Sequence, residues 1–248
     1  MKSLYATVQF LTRLPLPAWP AAARRPLRAH WFGVVGLVIG ALLAALDLIL
    51  RPWLPIVPRI VVVLACNALL TGGMHLDGLA DTADALGGFG TERALAIMRD
   101  SRIGSYGVLA LLAAWGLQAS LLCALPPAAL TAALFLAPGW GRASMAVSAA
   151  LSRPARPDGL GAAFIGAAGV SAAGLGALAA LTPVVVAALL CGGRPPLIAG
   201  LAALLLAASF AAVCRRRFGG QTGDTLGALN VIVETVAYGA FVVLGGAA

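Results

Sequence analysis

Three carboxylates recur at offsets of four and three in Gly-Gly-Met-His-Leu-Asp-Gly-Leu-Ala-Asp-Thr-Ala-Asp, residues 72–84. On a helix that spacing stacks Asp77, Asp81 and Asp84 in one narrow stripe. Side by side they repel one another unless something positive sits among them. The chain has only nine acids, and seven of them lie in segments 77–100 and 224–234. That concentration is expected of a site where a divalent cation carries a phosphorylated substrate. Mg²⁺ takes one or two carboxylates and completes its shell with phosphate and water oxygens. There it would bridge a diphosphate and neutralise the leaving group. The competing reading is a solvated acidic helix face.

Three further segments carry candidate chemistry. His75 precedes the stripe by two residues, so on a continuous helix it points nearly opposite to Asp77. It is a ligand only if the Gly72-Gly73 pair distorts the backbone; otherwise it is a base that activates a hydroxyl or a hydrogen-bonded structural histidine. In Met98-Arg99-Asp100-Ser101-Arg102-Ile103-Gly104-Ser105-Tyr106-Gly107, Arg99 and Arg102 can fork onto phosphate oxygens, and a helix N-terminus favours an anion. Asp100 could complete a metal shell. The bland alternative is a membrane anchor with a local ion pair. In Phe218-Gly219-Gly220-Gln221-Thr222-Gly223-Asp224, the glycines let backbone approach a ligand, and Thr222 offers a hydroxyl. No Walker lysine follows, so this is no P-loop. Asp224 is a further metal ligand, an N-cap, or both. Arg142 stands inside an apolar run and needs an anionic partner, either Glu234 or the substrate.

The elements that must position these residues are membrane helices. Apolar residues make up 61% of the chain and charged residues 10%, which points to an all-α, polytopic integral membrane bundle. Apolar stretches near 31–50, 59–75, 103–125, 128–150, 168–191, 196–213 and 225–246 suggest about seven spans. Glycines at 33, 36 and 40 would allow close helix contact in the first. With the N-terminus cytoplasmic, Lys2 and Arg13, Arg24, Arg25, Arg28, Arg93, Arg99, Arg102, Arg153, Arg156 and Arg215 to Arg217 fall inside. Arg51, Arg59 and Arg194 fall outside. That asymmetry follows the positive-inside rule and puts the acidic segments on the cytoplasmic face.

The net charge of +8 is therefore mostly topological. Sparse aromatics, not interleaved with the basic residues, argue against nucleic acid. Residues 1–30 form a basic arm suited to the bilayer surface, its stretch 5–17 amphipathic or re-entrant rather than a signal peptide. Residues 76–102 form the main cytoplasmic loop. There Gly87-Gly88-Phe89-Gly90 should break the aspartate helix, and Thr91 should cap a short helix running to about Asp100. The four cysteines form no C-x-x-C pair and read as packing residues. One membrane domain, 1–248, is the economical description.

The three signature segments resemble those of the cobalamin synthase family, as do Phe10-Leu11-Thr12-Arg13-Leu14-Pro15-Leu16-Pro17 and the turn Asp158-Gly159-Leu160-Gly161. The resemblance covers essentially the whole chain. It implies a Mg²⁺-dependent inner-membrane transferase of late vitamin B12 assembly. That enzyme joins adenosylcobinamide-GDP to α-ribazole, or to α-ribazole 5′-phosphate, and releases GMP. On this basis Asp81, Asp84, His75, Arg99 and Arg102 are the catalytic candidates. Arg13, Arg142, Gly219, Gly220, Thr222 and Gly223 are the substrate contacts, and Asp77, Asp81, Asp84, Asp100 and Asp224 the metal ligands. A homo-oligomer and a complex with other cobalamin-assembly enzymes are the candidate assemblies.

The pattern also resembles CDP-alcohol phosphotransferases. It lacks their Ala-Arg pair and later Gly-x-x-x-Asp-x-x-x-Asp element, so the likeness is one of mechanism. A non-enzymatic membrane transporter is the remaining alternative. It would call for polar groups at the bilayer midplane and repeated broken helices.

Overall fold

The computed structural model describes residues 2–17, 29–157, 165 and 170–245. Arg24, Arg25, Arg28 and the turn at 158–161 lie outside these residues. Among the described residues the fold is all helical, with one isolated bridge between Pro154 and Gln221. The helices are α1 (Lys2–Leu11), α2 (Phe32–Leu50), α3 (Ile56–Thr71), α4 (Met74–Leu86) and α5 (Thr91–Ile97). They continue with α6 (Ser105–Cys123), α7 (Pro127–Ala150), α8 (Val170–Cys191), α9 (Arg194–Phe218) and α10 (Gly223–Gly245).

A helix stands at each of the seven expected positions. Among the described residues, length and apolar composition qualify four of them for a crossing: Ala29–Leu50, α6, α9 and Gly223–Leu244. The α3–α4 pair, bent by 89°, would make a fifth only if its two helices formed one span. The remaining two expected spans fall short for identifiable reasons. Helix α7 carries Arg142, Ser144 and Ser148 in its buried face, and the apolar helix described within α8 is the shorter Ala177–Cys191. Large apolar side chains on the outside, such as Leu109 and Leu112 of α6 and Leu201 and Leu205 of α9, suit lipid contact.

Helix α2 packs against α7 and α8 almost backbone to backbone. A Cβ at Gly36 or Gly40 would overlap the Pro138 or Phe135 carbonyl, and one at Gly33 would overlap that of Ala180. Small residues therefore give this contact its closeness. The centre of the core is filled by Phe32, Ile39, Leu134, Leu136, Leu229 and Tyr238, all buried.

The expected span 59–75 is interrupted at Gly72-Gly73, while the expected break at 87–90 is present. Gly72 and Gly73 both take positive φ, 64° and 69°, a conformation costly to residues with a Cβ. The chain turns by 89° between α3 and α4 there. Helix α4 then stops at Leu86, before the expected glycine break. Thr91 differs from expectation: α5 has no side-chain cap, and the Thr91 hydroxyl donates to the Arg217 carbonyl of α9 instead. Helix α5 also ends at Ile97, three residues short of Asp100.

At one end of the bundle, Asp47 pairs with Arg51 at 2.6 Å and Arg59 at 2.7 Å, and Arg51 reaches Thr131 at 3.2 Å. This knot joins α2, α3 and the start of α7. The acidic segments gather at the other end.

Candidate active site

Helix α4 is 13 residues long, too short to cross alone. It lies against the N-terminal ends of two spans. A Cβ at Gly78 would sit 2.6 Å from the Asp224 carbonyl at the start of α10, so that glycine admits the contact. Asp84 accepts from the backbone N–H groups of Gly104 at 2.7 Å and Gly107 at 2.8 Å, at the start of α6. A carboxylate on the amides of a helix N-terminus that lack partners within the helix is favoured by both hydrogen bonding and dipole. Asp77, Asp81 and Asp84 thus occupy the rim of the bundle, as the stripe spacing requires.

Asp81 lies between these two anchor points, half-buried. Loss of solvent, then the charges of Asp77, Asp224 and Asp84, push its carboxyl up to about 7, while Arg156 opposes them. Four acids therefore share one field, and Arg156 answers them by pairing with Asp224 at 3.1 Å. Both oxygens of Asp84 are engaged with α6, so its first role is to hold α4 in place. Among the described residues, no three His, Cys, Asp or Glu side chains converge tightly enough to enclose an ion by themselves. Two carboxylates with substrate phosphates meet the needs of Mg²⁺. The crowded negative field at Asp81 fits such an ion.

The second arginine segment forms its own locus. Arg102 binds Asp100 through a fork, with its closest contact at 2.6 Å. Those hydrogen bonds lower the Asp100 carboxyl to about 2, with Arg93 adding a smaller pull. Asp100 is thus committed to Arg102 within its own segment. Arg99 is exposed at the end of the same segment. Arg13 lies against the glycine turn: its N–H donates to the Leu70 carbonyl at 2.7 Å, and its side chain covers Gly72.

The glycine-rich loop is spent largely on backbone pairing. Gln221 donates to the Arg153 carbonyl at 2.9 Å, Ala155 donates to that of Gln221 at 2.8 Å, and Arg153 Nε holds the Gly219 carbonyl at 2.9 Å. Gly220 fits because a Cβ would strike the backbone of residues 153–155. Thr222 and Thr225 cap α10 reciprocally, each hydroxyl accepting from the other's N–H at 3.0 and 3.2 Å. Thr222 therefore caps the helix, and Asp224 stands in its first turn beside exposed Gly223. This pairing carries Arg156 to Asp224. Arg156 read in the sequence as a topology signal, because no spacing reveals a contact made between two loops.

His75 and Arg142 belong elsewhere. His75 is buried against Gly227 and faces a chamber shared with Arg142, Asn230 and Glu234, away from the carboxylate stripe. Arg142 pairs with Glu234 at 2.8 Å, and Asn230 also donates to that carboxylate at 2.9 Å. Of the two readings for Arg142, the intramembrane ion pair is the one present.

Apolar helices that carry acids and arginines at one end define a polytopic membrane protein with a charged rim. The family model of cobalamin-5-phosphate synthase (CobS) matches residues 3–242. An adenosylcobinamide-GDP ribazoletransferase of Bradyrhizobium diazoefficiens is 41% identical over 239 residues, covering 94% of this chain and 90% of that protein. Its counterpart in Stutzerimonas stutzeri is 41% identical over 245 residues, covering 94% and 95%. That of Clostridium botulinum is 36% identical over 230 residues, covering 92% of each. No solved structure matches. The chain belongs to the cobalamin-5-phosphate synthase family, a family of transferases.

Proposed function

We propose that this chain transfers the adenosylcobinamide phosphate moiety from adenosylcobinamide-GDP to α-ribazole, or to α-ribazole 5′-phosphate, with release of GMP. The reaction uses Mg²⁺ and takes place at the cytoplasmic face of the bacterial inner membrane. The names of the relatives support the reaction class. The observation that carries the site is the meeting of Asp77, Asp81 and Asp84 of α4 with Asp224 at the start of α10, where Gly78 rests on the Asp224 backbone. Carboxylates crowded in this way, which raise the Asp81 carboxyl, favour a cation among them.

Asp77, Asp81 and Asp224 would hold the ion, with Asp84 fixing the helix that presents them. A bound Mg²⁺ supplies charge neutralisation on the diphosphate. Arg99, Arg102 and Arg13 take phosphate oxygens, which requires Arg102 to share or release Asp100. A ribose hydroxyl of the acceptor attacks the phosphorus nearer the corrinoid. The new O–P bond forms as the hydroxyl proton leaves, and the bond to the bridging oxygen breaks so that GMP departs with it.

The test is GMP release from adenosylcobinamide-GDP by membranes containing the full chain. Release must require both the acceptor and Mg²⁺. Release independent of added and residual divalent cation would remove the metal from this scheme.

A further inference from the structure

The transfer scheme gives Arg156 no task, yet the fold brings it to the acids. It lies in the segment after α7, which the glycine-rich loop grips. Ala155 donates to the Gln221 carbonyl at 2.8 Å, and Gln221 donates to that of Arg153 at 2.9 Å. Gly220 lets the two backbones touch, since a Cβ there would strike the Arg153 carbonyl. Asp224 follows in the first turn of α10. The backbone pairing thereby delivers the Arg156 guanidinium to the Asp224 carboxylate, where Nη2 donates to Oδ2 at 3.1 Å. Nη1 is buried and makes no hydrogen bond.

The surroundings of this arginine differ from those of Arg102. Arg102 is forked onto Asp100 and its side chain is 87% exposed, whereas that of Arg156 is 17% exposed. A charge shielded from water acts more strongly on a neighbouring anion. The charge of Arg156 also reaches Asp81, where it opposes the acids. A guanidinium carries five N–H donors in a fixed fork, so it can keep one carboxylate and take a second anion. We propose that Arg156 is a further substrate-binding residue, holding Asp224 through Nη2 while Nη1 donates to a diphosphate oxygen of adenosylcobinamide-GDP. This rests on the function proposed above and adds a phosphate contact from the segment after α7. The same charge acts in opposite senses on the two ligands of the rim. It repels Mg²⁺ alone and attracts a diphosphate. A tie that only fastened the segment to α10 would show no such contrast: loosening it would weaken both ligands or neither.

The probes are Mg²⁺ alone and then GDP at saturating Mg²⁺, each titrated calorimetrically at pH 8 into the purified full chain in detergent. In Arg156→Gln, Mg²⁺ should bind about tenfold more tightly, because a like charge beside the carboxylates is gone. GDP should bind at least about tenfold more weakly, because a charge-assisted hydrogen bond is lost. Arg156→Lys should restore the wild-type Mg²⁺ affinity but recover GDP affinity only in part, since an ammonium lacks the fork that spans two anions. That variant also serves should Arg156→Gln fail to fold, and undiminished GDP binding by it contradicts the assignment. Arg153→Gln, which removes the contact with the Gly219 carbonyl, should reproduce neither change. Mg²⁺ binding that is unchanged or weaker in Arg156→Gln overturns the proposal. So does undiminished GDP binding, a wild type that binds no GDP, or the same pair of changes in Arg153→Gln. A wild type that binds no Mg²⁺ instead fails the metal reading beneath it, so the two failures are told apart before any turnover is measured.

Discussion

Asp81 makes the rim sensitive to pH in a defined direction. Its folded carboxyl titrates at about 7 against 3.8 for the free group, so the folded chain holds the proton more tightly. Between those values the unfolded chain has lost the proton and the folded one has not. The stability of the cation-free protein therefore falls as pH rises from about 4 to 7, and it stays low above that. Asp81→Asn removes the penalty: at pH 8 without divalent cation, the variant should unfold at a higher temperature than the wild type. A lower unfolding temperature would mean that the acids do not strain one another. Mg²⁺ must displace the same proton. Its affinity should fall as pH drops through 7, and calorimetry in two buffers of different ionisation enthalpy near pH 6 should detect close to one proton released per ion. The stripe itself was legible from spacing alone. The field around Asp81 was not, because Asp224 and Arg156 reach it from segments more than 70 residues away along the chain.

At the scale of elements, the junction of α4 with α6 separates two kinds of aspartate. Asp84 binds two amides at 2.7 and 2.8 Å, whereas Asp77 is exposed. Asp84→Ala should destabilise the fold by about 1.5–3 kcal/mol, the usual worth of a hydrogen bond to a charged group. Asp77→Ala should leave the unfolding temperature nearly unchanged while lowering turnover. Equal thermal losses in both variants would contradict this division of labour. The helix break after Leu86 was readable from its glycines, whereas the one at Gly72-Gly73 falls inside the single expected span 59–75 and was not, because an apolar run does not show where two positive-φ glycines turn the backbone. The loop 218–223 was harder. Its glycines suggested ligand approach, but much of their work is to let residues 153–155 lie alongside. A glycine's neighbour cannot be read from the glycine.

At the scale of the molecule, two opposite ends emerge from contacts that no composition statistic contains. The Asp47–Arg51–Arg59 knot closes one end, and the loops at 151–157 and 219–222 close the other around the acids. Gly40→Leu should separate α2 from α7, costing about 1–3 kcal/mol or more through forced overpacking and reducing the yield of folded protein. Normal expression and thermal stability in that variant would show that the close α2–α7 contact is dispensable. The all-helical membrane character was evident from composition, and the seven helical positions from hydropathy. Arg142 in α7 shows why the count was not: a helix that buries a charged pair within the bundle loses the apolar signature of a span.

The most direct measurement is GMP release from adenosylcobinamide-GDP and α-ribazole by wild-type and Asp81→Asn chains in equal amounts, titrated with Mg²⁺ at pH 8. The wild type should turn over in proportion to bound Mg²⁺. Asp81→Asn should stay folded in the membrane and lose transfer by at least about a hundredfold, as expected when a group stabilising transition-state charge is removed. Undiminished transfer by a folded Asp81→Asn chain would contradict the claim that the acidic rim is where the chemistry occurs.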